Sequence, residues 1–213
     1  MKILIYGDSN VWGYQKIPRE IRQKNKDPNI KFRRLAKKQR WAERFAEEIL
    51  KKYPGAKIVI DGLNSRVAGS EDLDDGLNGR THFPDVFAKD SDCDFVIIAL
   101  GTNDLKPQYG LSAQEILQEL LWYKDFISKR LPARALFILP PNFAPKEGGM
   151  QDSLRREVIN RARDVLSECE LLEQDNLDLS PDGVHLSPLG HRQLAISVTA
   201  KIEGLIDDQH NNA

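Results

Sequence analysis

Residues 2–10 read KILIYGDSN, an unbroken apolar run that ends at Gly7 and is followed at once by Asp8, Ser9 and Asn10. Ile3 to Tyr6 are apolar without alternation, the pattern of a strand covered on both faces, as in a parallel sheet. Lys57 to Ile60, Phe95 to Leu100 and Ala135 to Leu139 share that character, and a short fifth strand is predicted over Glu170 to Glu173. Helical periodicity fills the gaps. Trp41, Phe45, Ile49 and Leu50 fall on one face of a helix over Trp41 to Lys52, and Ile116, Leu117, Leu120, Leu121 and Ile127 do the same over Leu111 to Leu131. Ser112, with Glu115 three residues on, makes an N-terminal capping box for the latter. A third amphipathic segment runs from about Ser153 to Ser167, and a last helix opens at Ser187 and Pro188 and continues to about Leu205. The order βαβαβαβα predicts a doubly wound α/β fold of three layers, helices on both faces of a parallel sheet.

The chain has 213 residues and a mass of 24.2 kDa, enough for one domain with its own core, and nothing divides it. The expectation is a single domain over 1–213, with a basic insertion at about 15–40 and a long irregular loop at about 64–93. Both follow strand ends, on the edge where open α/β sheets hold ligands. No apolar stretch reaches the roughly 18 residues of a membrane span, and the run at the N-terminus is too short for a signal-peptide core. A cytoplasmic protein without membrane partners is expected. Cys93 and Cys169 have neither metal-ligand spacing nor a local partner, and read as small buried thiols. The formal net charge of -1 conceals an uneven distribution: Lys16 to Arg40 carries +9 and the remainder -10. Such a run either docks an anionic partner or is a solvated face. Phe32 alone interleaves it before Trp41, so nucleic acid is not an expected partner.

Ser9 sits where the chain leaves the sheet edge. A serine there also serves as a turn or cap residue, and the same holds for Asn103 in Gly101, Thr102, Asn103, Asp104 after the third strand. The third element is Asp182, Gly183, Val184, His185, just before the final helix. Ester cleavage by a serine needs a base for its proton, a carboxylate to orient that base, and donors for the oxyanion. Asp182 and His185, three apart on a tight turn, can supply the first two, while Asn103 and the Ser9 N–H can donate to the oxyanion. No G-x-S-x-G elbow, phosphate loop, H-E-x-x-H or Cys/His cluster is present, and neither a cofactor nor a metal is expected. His82, His191 and His210 are read as structural or surface residues, and Asp8 and Asp104 as turn-stabilising.

These blocks together resemble the SGNH hydrolase superfamily, also called GDSL esterases and lipases: GDSN at Gly7 to Asn10, GTND at Gly101 to Asp104, DGVH at Asp182 to His185. GDSNVWGY at Gly7 to Tyr14, DGLNSR at Asp61 to Arg66, LNGR at Leu77 to Arg80 and IIALGTND at Ile97 to Asp104 are similar to its bacterial arylesterase and acyltransferase branch. The resemblance implies a flavodoxin-like parallel five-stranded sheet, Ser9 as nucleophile, His185 as general base and then acid, Asp182 as its orienter, and Asn103 as an oxyanion donor. Where the family offers a backbone N–H from Gly in its second block, the aligned residue is Ser65. Asn10 replaces the Leu of the family name, which should affect packing more than proton transfer.

Trp12, Tyr14, Asn142 and Phe143 are the candidate substrate-binding residues, although Trp12 and Phe143 read equally well as core. Arg66 and Arg80 either pair with a substrate anion or form ion pairs with the acidic run Glu71, Asp72, Asp74, Asp75. The leading expectation is a serine esterase for short-chain acyl or aryl esters, acting through an acyl-Ser9 intermediate. Acyl transfer to an alcohol or carbohydrate deacetylation is the alternative, followed by a binding protein that uses the basic segment. A small-molecule ester is the expected partner, and homo-oligomer formation through the 64–93 loop stays open.

Overall fold

Five strands form one parallel sheet in the order β4-β1-β5-β6-β7: β1 (Lys2–Gly7), β4 (Lys57–Gly62), β5 (Phe95–Ala99), β6 (Arg134–Ile138) and β7 (Glu170–Leu172). The computed structural model describes residues 1–24, 29–69, 76–144 and 149–211, the last three by their backbone only. The first strand is an interior one, with Ile5 paired to Ile60 on one side and to Ile97 on the other. Its side chains therefore have no solvent face. Ile3 and Ile5 pack under α3 (Trp41–Lys52) and α7 (Pro188–Asn211), whereas Leu4 and Tyr6 belong to the opposite core with α5 (Ala113–Ser128) and α6 (Asp152–Val165). This two-sided burial explains the continuous apolar run, and the architecture is the expected three-layer α/β fold.

The two stretches expected to be irregular are partly ordered. Within 64–93, α4 (Gly79–Lys89) makes the crossover from β4. Asn78 caps it by accepting from the Arg80 and Thr81 N–H groups, and Phe83 and Phe87 bury against Tyr6, Tyr123 and Phe126. Pro84 sits inside this helix and a glycine opens it, which masks the helical signal in the sequence. Within 15–40, β2 (Tyr14–Lys16) and β3 (Phe32–Arg34) pair antiparallel, with α2 (Arg19–Arg22) between them. Strands of only three residues each, YQK and FRR, are too short to carry a readable apolar period. The acidic residues Glu71, Asp72, Asp74 and Asp75 lie outside the described residues.

A short helix, α1 (Ser9–Trp12), lies directly on the sheet edge. A Cβ on Gly62 would stand 2.5 Å from the Trp12 nitrogen, and one on Gly7 2.4 Å from a Val11 methyl. Both glycines permit the approach that fixes α1 over the ends of β1 and β4. On the far side α3 lacks a capping side chain of its own. His191 of α7 supplies the acceptor: its Nδ1 takes the Trp41 N–H at 3.2 Å.

That bond requires a neutral ring. His191 is fully buried, and burial, with the Arg44 and Arg40 guanidinium groups and His185 nearby, pushes its pKa down to about 3 from 6.5. Unfolding releases a ring that takes up a proton below 6.5, so this contribution to stability is complete above pH 6.5 and is lost as pH falls toward 3. Its slope is at most about 1.4 kcal/mol per pH unit. Urea denaturation between pH 6.5 and 5 should show a shallower loss of stability in His191→Gln than in wild type, and equal slopes would contradict this role.

Candidate active site

The carboxyl ends of β1 and β5 and the segment before α7 converge on one edge of the sheet. Asp8 caps α1, its carboxylate accepting the Asn10 N–H at 2.8 Å, and Gly13 ends the helix at φ 86°. Ser9 is thereby the first helical residue, with its Oγ aimed across the edge. In the C-terminal segment Gly183 turns at φ 70°, Ser180 N–H reaches the His185 carbonyl at 2.7 Å, and Leu179 bridges Leu186. Ser187 then caps α7 through the Leu189 and Gly190 N–H groups.

The result is a continuous chain of hydrogen bonds. His185 Nε2 lies 3.0 Å from Ser9 Oγ, and His185 Nδ1 lies 2.9 Å from Asp182 Oδ2. Asp182 Oδ1 accepts the backbone N–H groups of Val184 and His185. Burial alone would raise the Asp182 carboxyl. The bonds from His185 and its neighbours outweigh burial and hold it at about 2. Asp182 is therefore a carboxylate throughout the range in which a histidine base works. The Tyr14 ring stacks on the imidazole, centroids 4.1 Å apart, and closes its solvent side.

Beside Ser9 lies a cavity of about 230 Å³. Ser9, Tyr14, Asn64, Ser65, Thr102, Asn103, Lys106, Met150, Val184 and His185 line it. Ser65 adopts the left-handed region at φ 63°, and neither its N–H nor that of Ser9 has an acceptor among the described residues. The Asn103 amide gives one proton to the Arg66 carbonyl at 3.0 Å, which leaves its second N–H. Three donors thus border the cavity next to the serine, an arrangement able to stabilise an oxyanion.

The structure separates the candidate wall residues. Tyr14 lines the cavity. Trp12 turns instead to Phe32 and Arg34, Phe143 is a core residue, and both amide atoms of Asn142 bond the backbone of Leu177. The wall is accordingly more polar than an aromatic pocket, and Asn64, Thr102, Lys106 and Met150 belong to it without having been read from the sequence. Arg66 is structural: it pairs with Asp61 at 2.7 Å, donates to the Gly7 carbonyl and stacks on Tyr6. Arg80 pairs with Glu119 and lies over Trp122. Asp104, expected to steady its own turn, uses both carboxylate oxygens on the Ala68 N–H, and burial pushes it up to about 7. Burial also raises the Cys93 and Cys169 thiols to about 11. His82 is half-buried on α4, and the His210 side chain lies outside the described residues.

Asn10 does more than pack. Its Oδ1 accepts the Leu186 N–H at 3.1 Å, tying the residue after Ser9 to the residue after His185.

The profile of the GDSL-like lipase/acylhydrolase family matches residues 5–193, a span that holds every segment of this site. The chain belongs to that family. It is a carboxylic ester hydrolase by that membership. No curated protein sequence matches this acylhydrolase significantly. Solved structures of similar fold include a carbohydrate acetylesterase from Sinorhizobium meliloti, with TM-score 0.78 and 24% identity over 96% of this chain and 99% of that one. An aryl esterase of M. smegmatis has TM-score 0.78 and 21% identity over 96% and 99%. A lipase/acylhydrolase from Enterococcus faecalis has TM-score 0.64 and 15% identity over 95% of each. At such identities the likeness is one of fold. Among the described residues of this acylhydrolase no helix is long and apolar enough to cross a membrane.

Asn10→Ala would leave the buried Leu186 N–H without an acceptor, at a cost of about 1–3 kcal/mol. Chemical denaturation should register that loss, and ester turnover should fall with it because His185 loses its tether to α1. An unchanged denaturation midpoint would refute the tether.

Proposed function

We propose that this acylhydrolase cleaves short-chain acyl or aryl esters through a covalent acyl-Ser9 intermediate. The observation that carries the reading is the relay from Ser9 Oγ through His185 to Asp182. His185 Nε2 takes the Ser9 proton as Oγ attacks the ester carbonyl carbon, and Asp182 steadies the imidazolium through Nδ1–H. Negative charge moves onto the carbonyl oxygen, where the Ser9 and Ser65 N–H groups and the free Asn103 amide proton meet it. On collapse, His185 returns its proton to the leaving alkoxide and the alcohol departs. Water then attacks the acyl carbon with His185 again as base, and the acid and free Ser9 are released. Tyr14, stacked on the ring, restricts its rotation and faces the imidazolium with its π-cloud.

A cavity of about 230 Å³ suits an acetyl or butyryl group better than a long chain. The polar wall of Asn64, Thr102 and Lys106 favours a second reading within the same chemistry, removal of an acetyl group from a hydroxylated alcohol such as a carbohydrate.

Wild type should hydrolyse p-nitrophenyl acetate and butyrate, and octanoate more than about tenfold slower. Ser9→Ala should lose activity altogether, and Asp182→Asn should lose about 10³–10⁴-fold in kcat. Equal turnover by wild type and Ser9→Ala would end the proposal.

A further inference from the structure

Lys106 is the one cation among the described residues that line the cavity. It follows the Asn103–Leu105 turn, its N–H bonded to the Asn103 carbonyl and Pro107 immediately after it, so its backbone is fixed relative to Asn103. The side chain is half-buried, yet its ammonium forms neither a hydrogen bond nor an ion pair among the described residues. Asp8 and Asp104 are near enough to favour its charge electrostatically, but neither carboxylate bonds it: Asp8 accepts the Asn10 N–H and Asp104 the Ala68 N–H. A partly desolvated ammonium with no direct hydrogen-bond partner is costly unless an acceptor arrives to pair with it.

The rim has the same sign. Phe32 of β3 stacks on Tyr14 at 5.1 Å, and Tyr14 stacks on His185, so the β2–β3 pair stands beside the mouth of the site. Arg34 shares the face of Phe32 and Tyr14 and is held by the Trp12 carbonyl, which fixes an exposed guanidinium there without neutralising it, while Arg33, held by Gln15, lies on the opposite face of the pair. They belong to the segment Lys16 to Arg40, with its net +9 in a chain of net -1. A positive mouth concentrates anions and raises their encounter rate. Neither feature is needed to hydrolyse a neutral ester.

We infer that the site selects esters bearing an anionic group, of which a carboxylate is the simplest, and that Lys106 is the residue that reads the charge. The inference rests on the esterase reading above. The anion can lie on the acyl side or the alcohol side, and two substrate pairs separate these: 4-nitrophenyl hemisuccinate against 4-nitrophenyl butyrate, and 4-acetoxybenzoate against 4-acetoxybenzamide. In at least one pair the charged ester should have the higher kcat/KM in wild type, and added salt should erode that preference. In Lys106→Met the charged-to-neutral ratio should fall about tenfold, the size of a lost charge-assisted hydrogen bond. Lys106→Arg should retain the preference and Lys106→Glu should reverse it. Each ratio is taken on one preparation, so the folded fraction cancels. A ratio unchanged by Lys106→Met in both pairs would overturn the assignment and leave the esterase reading intact. Failure of wild type to hydrolyse any of the four esters would overturn both.

Discussion

One hydrogen bond, from Leu186 N–H to Asn10 Oδ1, joins segments 176 residues apart, and each of its partners is the chain neighbour of a residue in the relay. Ser9 precedes Asn10 and His185 precedes Leu186, so the bond sets the spacing of the two loops that must meet at 3.0 Å. It can do so only because α1 is held against the sheet. Gly7 and Gly62 leave no side chain between the helix and the strand ends, and Val11 fills the core beneath. The other partner is held as firmly, through the Asp182 turn, the Leu179–Leu186 bridge and the Ser187 cap of α7. In a hydrophobic interior such a bond is directional where packing is not, which is what a site requiring tenths of an ångström needs.

Arg66 performs the corresponding service on the opposite side of the cavity. Its guanidinium is buried, and burying an unpaired charge would be prohibitive. Here Asp61, the Gly7 carbonyl and the Tyr6 ring all face it, and its own carbonyl accepts the Asn103 amide proton. The ends of β1 and β4 and the turn after β5 are thereby locked to one another. Asp104 adds a further link by holding the Ala68 N–H, and Tyr123 reaches the Ala68 carbonyl. The proposed oxyanion donors thus sit on backbone that polar bonds pin from behind, and they need no reorganisation when charge develops.

What the sequence discloses and conceals follows from the range of the interactions. Strands buried on both faces announce themselves in a few residues, as Ile3 to Tyr6 and Phe95 to Leu100 do. The capping box of Ser112 and Glu115 is equally local and is formed as read. The motif residues Ser9, Asn103, Asp182 and His185 are legible because each sits in a recognisable block, after a strand end or just before the last helix. By contrast, α4 was hidden by Pro84, and the β2–β3 pair by strands too short and too charged to show a period. Trp12 and Phe143 follow strand ends as a pocket wall would, but an aromatic ring packs either way, and here tertiary contacts took both rings away from the cavity. Asn10 was read for its packing because its partner lies at the other end of the chain. Lys106, Asn64 and Met150 reach the cavity through loop paths that no local pattern encodes.

Ester cleavage as proposed requires that Ser9 becomes acylated, with His185 as its base. Mass spectrometry of the protein after treatment with an alkyl fluorophosphonate tests this directly, since the reagent forms a stable ester only with an activated serine and releases fluoride. The expected result is a single adduct, mapped to the peptide carrying Ser9 and lost in His185→Ala. No adduct, an adduct on another residue, or labelling of Ser9 at an undiminished rate in His185→Ala would contradict it.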